Sequence, residues 1–253
     1  MGGAFDDSDD DNDDGITHDT LLRGRVKLLQ PRHGFRSSLD PILLAAFVAP
    51  PFGRFLDLGC ATGALAFLLL AKDAAATGVG VEIQPRLSEL AVRGRDANGF
   101  ANRFEVLKTD VRSPGLLPVR AFDLIATNPP FRPLGTGVLP PLSEKAMANH
   151  EVTLALGEWL DVAMGALALG GRLAVIFPFD RQKELRDGLQ ARGFFPRRSR
   201  AVVPEAGQPP NRILVEARAG TAEEVVEPPL VVHQNRTYTA EVRRLLGEDS
   251  PEL

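Results

Sequence analysis

Four polar side chains stand at or just past the ends of short apolar runs: Asp57 in Phe55–Leu58, Glu82 after Thr77–Val81, Asp110 after Phe104–Lys108 and Asn128 after Ala121–Thr127. An acid ending one strand is often only a helix cap, but three on consecutive strands of one sheet share a site, because ligands bind outside the carboxyl ends of strands in open α/β sheets. Asn128-Pro129-Pro130-Phe131 adds a different chemistry. Prolines cannot donate to a ladder, so the strand stops there and the bend is rigid. Such a bend holds the Asn128 amide oxygen and a backbone carbonyl side by side. Two acceptors aimed at one point suit a planar amino group, such as a base amine or a carboxamide, and Phe131 offers a stacking face. The plainer reading is a strand-ending turn with a core phenylalanine.

These positions need elements to hold them. Phe55-Leu56-Asp57-Leu58 runs into Gly59-Cys60-Ala61-Thr62-Gly63 and then an apolar helix from Leu65. This is the first strand–loop–helix of a nucleotide-type α/β fold, where glycines let the backbone approach a ligand and the helix start offers free N–H groups. The dinucleotide fingerprint is absent, since Ala61 and Ala64 occupy its second and third glycine positions. A carboxylate at Asp57 repels a pyrophosphate and attracts an ammonium. That favours a cofactor bearing an amino acid, S-adenosylmethionine, over NAD. Glu82 lies one βαβ unit on, where an acid accepts ribose hydroxyls. Asp110 is placed to accept from an adenine amine.

The rest of the chain reads as alternating elements. Ile16 to Pro31 reads as a short strand or hairpin with a basic edge. Ile42–Val48 is a helix that Ser38 or Asp40 caps, with Pro41 in its first turn. Arg86–Asn98 is a helix. Phe131 to Asn149 is a long loop beside the reaction centre, and His150 reads as a cap or surface residue. A helix over Val152–Leu169 ends at Gly170-Gly171 in C-cap fashion. Arg172–Phe177 is a strand, and Asp180 caps a helix over Arg181–Arg192. Phe194–Val203 and Arg212–Arg218, joined without a helix, pair antiparallel.

Composition bounds the class. The chain has 253 residues, 44% hydrophobic and 25% charged, as soluble globular proteins do. Its apolar runs fall short of the roughly 20 residues of a membrane span. One cysteine, Cys60, excludes an internal disulfide and fits a reducing cytosol. Residues 1–22 carry eight aspartates and no Lys or Arg, which leaves 29 bases against the remaining 25 acids, about +4. A mildly basic body with an acidic lead is compatible with a nucleic-acid partner. Residues 1–15 read as a disordered acidic tail and 16–253 as one domain, with 16–50 lining the cofactor pocket.

Taken together, Asp57-Leu58-Gly59-Cys60-Ala61-Thr62-Gly63 resembles the S-adenosylmethionine motif of class I methyltransferases, and Asn128-Pro129-Pro130-Phe131 is similar to the N-P-P-[YF] motif of amino-group methyltransferases. Gly34-Phe35-Arg36-Ser37-Ser38-Leu39-Asp40-Pro41 to Ala45, and Pro229-Leu230-Val231-Val232 to Tyr238-Thr239-Ala240-Glu241-Val242, resemble the bacterial tRNA (adenine-N6)-methyltransferases that act on the adenine 3′ of the anticodon of a valine tRNA. The resemblance covers about Thr17 to Leu246. It implies a Rossmann-like α/β fold with a seven-stranded, mostly parallel sheet, an antiparallel C-terminal hairpin and helices on both faces. It also implies transfer of a methyl group from S-adenosylmethionine to an adenine N6 amine, leaving S-adenosylhomocysteine.

By the same resemblance Asn128, Pro129 and Phe131 are the catalytic positions. The cofactor is held by Asp57, Gly59, Cys60, Ala61, Gly63, Glu82, Ile83, Asp110, Val111 and Asn128, with Phe35, Arg36 and Asp40 on the methionine side. Arg23, Arg25, Arg197, Arg198 and Arg200 are candidate RNA phosphate contacts, each of which is otherwise a solvated edge residue. The expected protein is a cytoplasmic monomer without metal or membrane contact. Two departures stand out: Ala61 replaces a common glycine, and Phe131 replaces the tyrosine common in adenine enzymes, so a guanine-N2 target in ribosomal RNA stays open. A protein-glutamine target is disfavoured by the short stretch before the first strand. A non-catalytic RNA-binding protein is disfavoured by the intact Asn128. An NAD-dependent reductase lacks its glycines and a Tyr-x-x-x-Lys pair.

Overall fold

A computed structural model of the chain describes residues 15–113, 115–129, 156–221 and 223–248. Two strands, β1 (Ile16–Leu21) and β2 (Val26–Pro31), form an antiparallel hairpin. The basic-edged hairpin reading holds. The tip turns through positive φ at Leu22, Arg23 and Gly24. Helix α1 (Asp40–Phe47) follows. Its first helical residue is Asp40, and Leu39 stands before it with no side-chain cap. Neither Ser38 nor Asp40 therefore caps it. Instead the Ser38 hydroxyl accepts the Asp40 backbone N–H (3.3 Å).

The main sheet is built from β3 (Arg54–Leu58), β4 (Thr77–Glu82), β5 (Phe104–Lys108), β6 (Phe122–Thr127), β7 (Leu167–Pro178), β8 (Phe194–Glu205), β9 (Arg212–Ala219), β10 (Val225–Gln234) and β11 (Thr237–Tyr238). Its order is β11-β10-β8-β9-β7-β6-β3-β4-β5. Strands β5, β4, β3, β6 and β7 are parallel, and β9 is antiparallel to both β7 and β8. The seven expected strands are there, with the C-terminal antiparallel pair, and the sheet continues to nine. β10 adds parallel to β8, with a register shift between Glu227 and Leu230. Pro228-Pro229 sit in that irregularity, where missing N–H groups cost no ladder bonds.

Helices α2 (Ala64–Lys72), α3 (Pro85–Ala97), α4 (Leu156–Ala166), α5 (Gln182–Gln190) and α6 (Ala240–Leu245) complete the described elements. Two clusters of buried side chains, one on each face of the sheet, hold them. α1 and α2 belong to the first with Phe55, Phe67 and Phe104. α4 and α5 belong to the second with Leu56, Leu58 and Val81. Strand residues alternate between the two because successive side chains point to opposite faces.

Two helix limits differ from expectation. α4 ends at Ala166, not Leu169, because β7 already begins at Leu167, which pairs with Phe122. The backbone N–H groups of Arg120 and Ala121 donate to the Gly165 and Ala166 carbonyls (3.0 and 2.9 Å), taking up the helix end. Gly170-Gly171 lie inside β7 where its register shifts, Gly170 with φ +77°. Asp180 is within a 3-10 turn, Phe179–Arg181, and does not cap α5.

α1 is clasped at its far end. Lys72 Nζ donates to the carbonyls of Ala45 (2.9 Å), Ala46 (3.2 Å) and Val48 (2.7 Å). Arg172 donates to those of Ala49 and Pro51, and Arg198 to that of Phe47, over whose ring its guanidinium stacks at 4.2 Å. Cations at a helix C-terminus satisfy its unpaired carbonyls and oppose its dipole. Burial, with Arg198 and Arg172 adding repulsion, lowers the Lys72 pKa.

The β3–β4 packing leaves no room for a side chain at Gly78. A Cβ on Gly78 would lie 2.2 Å from the Phe55 ring. Gly78→Ala is expected to destabilise the protein by about 1–3 kcal/mol, read from urea unfolding.

Candidate functional site

The order β6-β3-β4-β5 sets four strand ends side by side. With neighbouring strands about 4.8 Å apart, this edge is roughly 14 Å long. Along it run Asn128, Asp57, Glu82 and Asp110. All four line one cavity of about 300 Å³, together with Phe35, Arg36, Asp40, Gly59, Cys60, Ala61, Ile83, Val111 and Pro129. That is every expected cofactor residue except Gly63. Gly63 instead starts α2 with φ +88°, where a Cβ would meet the Phe67 ring at 2.5 Å. Phe131 and His150 lie outside the described residues.

The loop after β3 is shaped by backbone bonds. The N–H groups of Gly59 and Cys60 both donate to the Val81 carbonyl (2.9 and 3.0 Å), and Gly63 N–H donates to Cys60 O (2.8 Å). Ala61 has φ +49°. An L-residue there carries a cost of about 1–2 kcal/mol, which accounts for the glycine common at this place. Its N–H donates to Glu82 Oε2 (3.0 Å), and the Gln84 N–H to Glu82 Oε1 (2.8 Å). Glu82 thus fixes the loop as well as facing the cavity.

The electrostatics are those of a site that wants a cation. Asp57 is buried and its Oδ2 has no partner. Burial first, then the nearby Glu82, pushes its carboxyl up to about 8, against the opposing Ala66 backbone N–H. Burial also raises Glu82, with the Gln84 and Ala61 N–H groups opposing. Two buried carboxylates kept close cost stability, and such perturbed pairs cluster at functional sites. The Cys60 thiol is pushed well up by burial, so it is no nucleophile here. Asp110 is different. Arg112 binds its carboxylate at 2.6 Å and holds it below the usual range. On the edge nearest β7, Asn128 Oδ1 is buried with no partner.

The N-terminal hairpin carries the other wall. Arg36 donates to Asp19 Oδ2 and Thr17 Oγ1 (both 2.8 Å), and Ser37 N–H to Gln30 Oε1 (2.6 Å). Asp40 faces Arg212 at 3.3 Å. Arg212, Gln84 and Trp159 also line the cavity and were not legible as site residues. Gln84 directly follows the Glu82-Ile83 pair, which is the one local signal. Arg212 and Trp159 arrive through the fold.

The basic run is engaged within the fold. Arg198 pairs with Glu227 (2.7 Å), and Arg200 with Glu241 (2.8 Å). Arg197 donates to the Ala219 and Gly220 carbonyls (3.0 and 2.7 Å). Arg198 and Arg200 thereby hold β10 and the C-terminal helix to the sheet, while Arg197 ties β8 to the end of β9. Arg23 donates to the Glu248 carbonyl (3.1 Å) while remaining exposed, and Arg25 is exposed at the hairpin tip. Among the described residues no cluster of metal-ligating side chains occurs, and no helix is long and apolar enough to cross a membrane.

Residues 39–185 match the family model described as methyltransferase small domain. The chain is 34% identical over 170 residues to a tRNA1(Val) (adenine(37)-N6)-methyltransferase of Porphyromonas gingivalis, covering 64% of this chain and 66% of that protein. A relative of the same name from another strain of that species is 33% identical, with 62% of its length covered, so the match spans somewhat less than two thirds of these two proteins. One from Glaesserella parasuis is 27% identical over 203 residues, 80% of this chain and 84% of that protein. Among solved structures, a predicted O-methyltransferase of Agrobacterium tumefaciens superposes with a TM-score of 0.64 at 26% identity, over 83% of this chain and 96% of that one. A putative transferase of Pyrococcus horikoshii shares the fold, with a TM-score of 0.58 at 14% identity over 82% and 73%.

Proposed function

Because this chain belongs to the methyltransferase small domain family, we propose that it transfers a methyl group from S-adenosylmethionine to the exocyclic N6 amine of an adenine in tRNA, next to the anticodon of a valine tRNA. The observation that carries the reading is the unpartnered Asn128 Oδ1, buried in the wall of a cavity that two buried acids also line. The names of the relatives support adenine N6 over the guanine-N2 and protein-glutamine alternatives.

The donor set fits the cofactor. Asp57 would hold its ammonium, Glu82 would accept from its ribose hydroxyls, and Asp110 would accept from its adenine amine. When bound, S-adenosylmethionine supplies an electrophilic methyl group on a sulfonium. The chain's own part is to prepare the nucleophile. An exocyclic amine is poor because its lone pair is delocalised into the ring. Asn128 Oδ1 and the Pro129 carbonyl accept its two hydrogens and favour a tetrahedral nitrogen with a localised lone pair. This is positioning with preorganised dipoles, and no strong base is required. As the methyl carbon leaves sulfur for nitrogen, one of the hydrogens held by these two oxygens would be released to solvent. An anticodon-loop base is already partly unstacked, so turning it outward costs less than in a duplex.

The test is incubation with labelled S-adenosylmethionine and total tRNA from cells lacking this protein, followed by nucleoside mass spectrometry. N6-methyladenosine in a valine tRNA is the expected result. Label in N2-methylguanosine, in ribosomal RNA or in protein would overturn the substrate assignment. A second expectation concerns the cofactor alone. Glu82→Ala weakens S-adenosylhomocysteine binding about 10- to 100-fold in calorimetry, since charge-assisted hydrogen bonds are lost and the Ala61 and Gln84 N–H groups are released.

A further inference from the structure

Trp159, on α4, combines two properties that core packing does not require together. It is buried at 3% exposure, and its Nε1–H is buried with no acceptor. It also lines the cavity at the strand ends, with Asp110 and Val111. Its ring belongs to the core cluster that holds Leu58 and Val81 and against which Val111 packs. A phenylalanine would fill that core without stranding a donor, and buried indoles ordinarily find a partner. An orphaned donor in a pocket wall is a place where a ligand atom belongs.

We infer that Trp159 is a positioning residue for the adenine ring of the cofactor, its indole Nε1–H donating to a ring nitrogen of the purine whose amine Asp110 accepts. This rests on the S-adenosylmethionine reading above. The chemistry is complementary. A purine ring offers acceptor nitrogens beside the amine of adenine, so one wall needs one acceptor and one donor. Asp110 is the acceptor, kept charged by Arg112 at 2.6 Å. Three other buried, unpartnered atoms of the cavity lining are acceptors: Asp57 Oδ2, Gln84 Oε1 and Asn128 Oδ1. Of the groups there that can donate, the Thr62 hydroxyl and the indole N–H are buried without partners, and only the indole belongs to the cluster against which Val111 packs. Placing the N–H on a rigid two-torsion ring lets it select orientation at little entropic cost.

The test reads binding, not turnover. Trp159 is the sole tryptophan, so its fluorescence reports S-adenosylhomocysteine binding directly, with calorimetry as the common scale. Trp159→Phe, which keeps the apolar ring and removes the donor, should weaken binding about five-fold, the effect of one neutral hydrogen bond. Its ligand-free melting temperature should be unchanged or higher, because a stranded donor is gone. Among the 1-, 3- and 7-deaza analogues of S-adenosylhomocysteine, one should lose a similar factor on the wild type and nothing further on Trp159→Phe. Equal affinity of Trp159→Phe and wild type would overturn the inference, as would wild-type indifference to all three analogues. Both outcomes leave the cofactor reading standing. A wild type that binds no S-adenosylhomocysteine overturns that reading and this one with it.

Discussion

Asn128→Ala reduces single-turnover methyl transfer by about 10²- to 10³-fold, the scale of removing one preorganised acceptor, and leaves S-adenosylhomocysteine affinity nearly unchanged. The two effects separate because of the sheet order. Asn128 follows β6, while Glu82 closes β4, and β3 lies between them. Asn128 Oδ1 makes no bond within the protein, so its removal takes no support from the loop at Gly59–Gly63. Glu82, by contrast, accepts two backbone N–H groups of that region. Rapid-quench kinetics and calorimetry on the two variants decide the matter. If Asn128→Ala lost cofactor affinity as badly as Glu82→Ala, the assignment of Asn128 to the amine would fall.

Asp57→Asn should do two opposite things: abolish cofactor binding and stabilise the ligand-free protein. In the fold the carboxyl is raised to about 8 from an ordinary 3.8, by burial and by Glu82. The folded state therefore keeps a proton that the unfolded chain releases as pH climbs past 3.8. Between about 4 and 8 each rise in pH favours unfolding, and the wild type loses stability across that window. Glu82, also raised, acts with the same sign. The amide at position 57 does not ionise, so the variant lacks the Asp57 part of this slope. Its advantage grows toward pH 8, to an order of a few kcal/mol. Urea unfolding of both proteins at pH 5, 6.5 and 8 measures it. A variant less stable than wild type at all three would show the carboxylate to be a structural partner. The linked expectation is that a cationic ligand pulls the Asp57 proton off, so wild-type affinity rises with pH toward 8.

Much of this site was readable because its signals are local. An acid at the end of an apolar strand, and a glycine loop before an apolar helix, declare themselves within a few residues. Periodicity then orders the strands, and parallel βαβ connection places their ends together. What escaped was decided by distant partners. Nothing local in the sequence shows that Glu227 and Glu241, far along the chain, are brought against Arg198 and Arg200. Arg212 reaches the cavity only through the antiparallel turn of β9 and meets Asp40 there. Gly170-Gly171 carry the sequence mark of a helix end, yet pairing of Leu167 with Phe122 starts the strand before them. Pro228-Pro229 argue against a strand, and β10 tolerates them only because its register slips at that point.

The clasp on α1 also says when the molecule can be finished. The helix that carries Asp40 to the pocket comes early in the chain, but its end is gripped by Lys72, Arg172 and Arg198, and Asp40 itself is met by Arg212. On a translating ribosome Lys72 follows α1 closely, but Arg172, Arg198 and Arg212 leave the exit tunnel long after it. The nascent chain therefore holds the first wall of its pocket without those later fastenings, and the pocket closes only when the last third of the polypeptide has emerged.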